Sequence, residues 1–154
     1  MIGTVRFERS HHIEIAAPPG DVLDYVSNPT SWPEWMPASH EIHSPDRPLR
    51  AGERFDERWA TSRGEVRLDW LVTAREDSRV WEARADTDFL GPIVARYTVE
   101  ATPGGSRYTR TIVNPARPKP PTPEMVQRVD DEAAVCLANI KAAVERRVAV
   151  GASG

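Results

Sequence analysis

The sequence has almost no cysteine: one thiol, Cys136, in 154 residues. A single thiol excludes a disulfide within the chain and suits a reducing compartment, so a cytoplasmic protein is expected. Long apolar runs are lacking too. None approaches the roughly 20 residues that a membrane-spanning helix needs, so no membrane insertion is expected. The opening residues MIGTVRFERS carry no apolar block of the signal-peptide kind. An excess of positive charge is also missing. Against 20 Lys and Arg stand 23 Asp and Glu, for a net charge of -3. A nucleic-acid binder usually presents a basic face, so no nucleic-acid partner is expected. No GxSxG, Walker A loop or GxGxxG occurs, which leaves hydrolase and nucleotide-dependent chemistry without support. Histidines are few. His40 and His43 form an HxxH, but in a strand residues i and i+3 point to opposite faces. The adjacent His11 and His12 are split in the same way. With no third ligand in view, no metal site is expected.

Proline and tryptophan, by contrast, are plentiful: 14 and five residues. They meet in NPTSWPEWMP, residues 28–37. Neither a long helix nor a central strand can run through so many prolines. Upstream, VRFERSHHIEI (5–15) alternates apolar and polar, as a half-buried strand requires. In APPGDVLDYVSNP, Pro19 and Asp21 suit a first helical turn, and Pro29 ends that helix by residue 28. Thr30 or Ser31 can then cap one more helical turn containing Pro33 and Glu34. The prolines therefore fix a pair of short helices.

From residue 38 to 115 the period is two. Phe55, Glu57 and Trp59 share one face, as do Val66, Leu68, Trp70 and Val72. Trp81, Ala83 and Ala85 group together, then Ile93, Ala95, Tyr97 and Val99, then Tyr108, Arg110 and Ile112. SRG at 62–64 and PGG at 103–105 read as hairpin turns. Six to seven strands in meander order imply one curved antiparallel sheet. NPARPKPPTP reads as a connector. Thr122-Pro123-Glu124 then opens a helix whose apolar positions Val129, Ala133, Cys136, Leu137, Ile140 and Val144 continue to about residue 148. Such a helix of roughly 25 residues would span about 37 Å. The expected class is α+β. Residues 1–150 form a single domain and 151–154 a disordered tail.

This order resembles the START/Bet v 1-like (SRPBCC) superfamily with its helix-grip fold, and within it the polyketide cyclase/dehydrase group. The stretches that carry the resemblance are IEIAAPPGDVLDYVSNPTSWPEWMP, GGSRYTRTI and LANIKAAVERR. It covers nearly the whole chain and implies a cavity between sheet and long helix. Members include aromatase/cyclases of aromatic polyketides, lipid and hormone carriers, and co-chaperone domains. Two polar positions of the aromatase/cyclases, an arginine on the fourth strand and a tyrosine after the short helix, are not clearly matched. The nearest residues are Ala74 or Arg75, and Ser39. By parity Arg75 faces outward with Thr73 unless a bulge re-aims it.

Three titratable groups share parity with the apolar face: His11, Glu57 and Arg110. Glu57 and Arg110 can form a structural ion pair, because a buried charge needs a partner. Alternatively they orient a ligand oxygen: Arg110 would stabilise an enolate, and Glu57 or His11 would move the proton. Trp59, Trp70 and Trp81 point toward the concave face, with Phe55, Leu68, Tyr97 and Tyr108 beside them. Trp32 and Trp35 shape a wall next to the long helix, and Met125 and Val129 face the sheet from that helix. Ordinary core packing competes with cavity lining for each of these aromatics.

Two functions follow from the resemblance. One is a cofactor-independent cyclase, aromatase or dehydratase; the other is a carrier or sensor. Both take a small hydrophobic, polyketide- or lipid-like molecule. A co-chaperone or toxin-like interaction module is the third reading, and it would show a surface patch instead. The protein is expected to be a monomer or homodimer.

Overall fold

The computed structural model describes residues 3–37, 40–61 and 64–153. The alternation at the start becomes β1, Val5–Ile15, in which every odd-numbered side chain is partly or fully buried and every even one exposed. A short helix α1 follows, Pro19–Val26, burying Val22, Leu23, Tyr25 and Val26. Next comes a 3-10 turn, Pro29–Ser31, which runs directly into α2, Trp32–Trp35. Ser31 takes the N-cap position of α2, as expected, but its side chain makes no capping bond there. The Asn28 side chain accepts from the Thr30 amide at 3.1 Å, while Ser31 Oγ donates to the Tyr25 carbonyl. An Asx-type cap at Asn28, two residues before Thr30, serves the 3-10 turn, which the pattern had not separated from the helix.

The remaining strands are β2 (His40–His43), β3 (Arg54–Thr61), β4 (Gly64–Glu76), β5 (Val80–Thr87), β6 (Gly91–Thr102) and β7 (Gly105–Arg117). They form one seven-stranded antiparallel sheet in the order β1-β7-β6-β5-β4-β3-β2. Every neighbour after β1 is thus consecutive, and β1 closes the sheet against the last strand. Ser62 and Arg63 of the expected SRG turn lie outside the described residues. At the PGG turn, Gly105 has φ +144°, and a Cβ there would sit 2.3 Å from the Ile15 carbonyl oxygen. Only glycine lets the β7 hairpin approach the end of β1 so closely.

Two irregularities escape the period-two pattern. The supposed connector begins too early, because β7 runs through Pro115 to Arg117. In its register with β1, Phe7 faces Asn114 and Val5 faces Arg117, so β7 has one extra residue there. Pro115 lies in that bulge, where a missing N–H costs no regular ladder bond. The second bulge falls between Val72 and Ala74 of β4. It re-aims Arg75 toward α1, where the guanidinium donates to Ser27 Oγ and Asp24 Oδ1, both at 2.7 Å.

The long helix α3, Pro123–Ser153, lies over the concave face. It outruns the expected end near residue 148 and takes in 151–153, read from sequence as part of a disordered tail; Gly154 is outside the described residues. Alanines favour helix at this end, and a lone Gly151 costs only about 1 kcal/mol. This is the α+β helix-grip architecture: a curved sheet wrapped on a long C-terminal helix, with two short helices after β1. Among the described residues no helix is long and apolar enough to cross a membrane.

Candidate functional site

The interior under α3 has two unlike halves. One is packed solid around Trp32. Its ring meets Phe55 edge-on at 5.2 Å, and Trp70, Trp81 and Tyr97 at 5.8, 6.2 and 6.3 Å. Its Nε1 donates to the Val26 carbonyl at 3.0 Å, which ties α2 back to α1. Trp35 Nε1 donates to Ser31 Oγ, and Asn139 of α3 donates to the Trp35 carbonyl. The proline-rich pair therefore carries two tryptophans into the centre with both indole N–H groups satisfied, as buried tryptophan requires.

The other half is open. A cavity of about 520 Å³ lies between the sheet and the N-terminal half of α3, within the 300–1,000 Å³ range of small-molecule sites. Of the residues singled out in the sequence, Glu57, Trp32, Trp59, Leu68, Trp70, Tyr97, Arg110, Met125 and Val129 are in its wall. Trp35, Phe55, Trp81, Tyr108 and His11 are not. Trp81 is fully buried and donates to the Leu49 carbonyl. Phe55 stacks on Trp70 with 8° between the planes. These aromatics share the strand face of the lining residues but sit further along it, in the solid half.

His11 is held at the seam between sheet and helix. Its Nε2 lies 2.8 Å from Asp130 Oδ1 on α3, and the same carboxylate accepts two bonds from Arg9 at 2.9 and 2.6 Å. Those bonds hold the Asp130 carboxyl below the usual carboxylate range. The seam fixes Arg9, which does reach the cavity wall.

The expected ion pair between Glu57 and Arg110 is not among the ion pairs of the described residues. β3 and β7 are four strands apart in the sheet, about 19 Å along its surface, and each side chain finds nearer company. The Glu57 carboxylate accepts from Trp70 Nε1 at 3.2 Å. The Arg110 guanidinium lies 5.6 Å from the Trp35 ring centre. Across the β6–β7 register Arg110 faces Tyr97, and across β1–β7 it faces His11. Neither Tyr97 nor Tyr108 has a hydrogen-bond partner of good geometry for its hydroxyl. Burial pushes both phenols up, against an opposing pull from Arg110. Burial likewise raises the Cys136 thiol, which shares the wall with Arg110.

Sequence reasoning missed several wall residues. Phe7, Ile93, Ala95 and Ile112 carry the right parity and could have been found from it. Phe89 and Leu90 lie in the β5–β6 turn, where no periodicity points to a cavity. Asn114 belongs to the stretch of β7 mistaken for connector. Arg75, the nearest counterpart of the aromatase/cyclase arginine, is outside the cavity wall, and Ser39 lies outside the described residues. The His40 side chain is also outside them; His43 bonds Asp56 at 3.0 Å.

A family model described as polyketide cyclase / dehydrase and lipid transport matches residues 4–145. No curated protein is similar enough in sequence to match. Among solved structures, Ara h 8.0201 is similar at TM-score 0.65 and 16% identity, over 91% of this chain and 98% of that one. The di-domain ARO/CYC StfQ of the steffimycin biosynthetic pathway gives TM-score 0.70 and 15% identity, over 94% of this chain and 52% of that one. The Aha1 dimer of Colwellia psychrerythraea gives 0.65 and 15%, over 90% and 96%. At these identities the likeness is one of fold.

Proposed function

Because the chain belongs to the polyketide cyclase / dehydrase and lipid transport family, we propose that it binds a small, mostly apolar molecule in the cavity beneath α3. The observation that carries this reading is the cavity itself: about 520 Å³, walled by Trp32, Trp59, Trp70 and aliphatic side chains, with only a few polar groups. That is the composition of a site that binds by shape and orients by a few placed contacts. Tryptophan fluorescence tests it, since three of the five indoles are in the wall. Titration with polycyclic phenols, fatty acids and sterols is expected to give saturable quenching by one class. A flat response to every class would remove the reading and favour an interaction module.

One observation favours a second, catalytic reading. Glu57 and Arg110 border the same cavity from opposite sides, one able to exchange a proton and the other to stabilise an oxyanion. That pairing suffices for cofactor-independent cyclisation or dehydration of a polyketide-like substrate. Glu57→Gln separates the two readings: catalysis predicts lost turnover with ligand affinity retained.

A further inference from the structure

The cavity wall holds a partly buried cation that no carboxylate pairs among the described residues. Three arginines reach the wall. Arg9 is held in two bonds by Asp130. Arg117 lies over Phe7 at 5.9 Å and keeps part of its surface in solvent. Arg110 is partly buried and borders the cavity. Two carboxylates belong to the same wall, Glu57 and Glu132, yet neither is within ion-pair distance of Arg110 among the described residues. The Arg110 Nε has no hydrogen-bond partner.

What does surround Arg110 is uncharged. The Trp35 ring offers its face. Tyr97, Tyr108 and Cys136 are the polar neighbours, and burial keeps all three protonated. A guanidinium partly withdrawn from water and left without an anion is costly, and a protein normally pairs it. Beside it, the fully buried Tyr97 has a hydroxyl with no partner of good geometry, its one polar neighbour in reach being Arg110 itself. The two residues are directly opposed on β6 and β7, so the sheet itself aims both at one volume.

We propose that the ligand of this cavity is an anion: an apolar body bearing one carboxylate, or one ionised phenol or enol oxygen, seated between the Arg110 guanidinium and the Tyr97 hydroxyl. This rests on the binding reading above and narrows it to a chemical class. The guanidinium fork matches a carboxylate with two parallel bonds. A neutral amide of the same shape gains only weaker contacts and leaves the cation uncompensated.

The test compares 2-naphthoate, 2-naphthamide and 2-methylnaphthalene by calorimetry on the wild-type protein. The carboxylate is expected to bind about tenfold or more tightly than the amide, as one charge-assisted hydrogen bond implies. 2-Naphthol, titrated on both sides of its own ionisation, separates the two anion types. Tightening on ionisation assigns the phenolate, and carboxylate preference without it assigns the carboxylate. Arg110→Met is expected to bring the carboxylate down to the level of the amide while the amide changes by less than about threefold. Equal affinity of carboxylate and amide for the wild type overturns the inference and leaves the cavity reading standing. Binding of none of these naphthalenes overturns both. The wild-type comparison decides even if the variant fails to fold.

Discussion

Tyr97 and Arg110 stand opposite each other in the β6–β7 register, and the phenol, although fully buried, has no hydrogen-bond partner of good geometry, only the Arg110 guanidinium nearby. A buried hydroxyl in that state has lost its water for at most a poorly aligned contact, at a cost of up to about 1–3 kcal/mol. Tyr97→Phe keeps the ring contacts with Trp32, Trp81 and Tyr108 and removes only the oxygen. Stability in urea is expected to hold within about 1 kcal/mol or to rise. A loss well beyond that would mean the hydroxyl is bonded after all.

Trp32 is the opposite case, a side chain whose every feature is used. It touches Trp35, Phe55, Trp70, Trp81 and Tyr97, and its N–H is satisfied. Trp32→Ala is expected to cost about 3–5 kcal/mol, read by chemical denaturation. A loss under about 1 kcal/mol would show that the ring is not the centre of the core.

The cavity makes a prediction about addition rather than removal. Ala133 of α3 is buried and in the cavity wall. Enlarging a side chain in a full core usually costs about 1–3 kcal/mol through strain. Ala133→Phe grows into open volume instead, so its stability should change by less than about 1 kcal/mol. Ligand-induced tryptophan quenching should disappear. A strongly destabilised variant would argue that the volume is filled.

Acid should weaken the fold by an identifiable route. The Arg47 guanidinium and the Arg50 amide bind Glu53 and lower its carboxyl from the ordinary 4.5 to about 2. Asp130, under Arg9 and His11, and Glu145, under the Ala16 amide and Lys141, are lowered as well. A carboxyl lowered in the folded state binds its proton first in the unfolded chain. The stability it contributes is present above about pH 4.5 and is lost as pH falls toward about 2. Melting temperatures from pH 7 down to 2 should therefore fall below pH 4.5, and Arg47→Met should flatten part of that slope. A melting temperature that does not change over this range would contradict the assignment.

Most of the fold was legible because several strands bury one face and alternate cleanly. Residues 5–15 and 80–85 show it plainly. The bulges were not legible. Nothing in the apolar pattern marks the extra residue near Val72 or lets a strand continue through Pro115; both depend on register with a neighbour. The cavity was half legible for a related reason. Parity tells which face Trp70 and Trp81 share, but not how far each lies from the point where α3 crosses the sheet. That distance separates Trp70, in the cavity wall, from Trp81, sealed under Leu49. The charges follow the same rule. Glu57 and Arg110 were correctly placed on one face, but strand order set them four strands apart.

The closing of the sheet by β1 against β7 also sets a timetable. Ile15 is paired with Ser106, and Val5 with Arg117, so β1 has no partner until nearly the whole sheet has been synthesised. At typical translation rates that wait is roughly 5–20 s. The meander β3 to β7 can form by local hairpins as it emerges, whereas β1 must remain unpaired, with Phe7, Ile13 and Ile15 uncovered. The strand made first is thus the last to find its place, and in a nascent chain its apolar edge is the part most in need of protection.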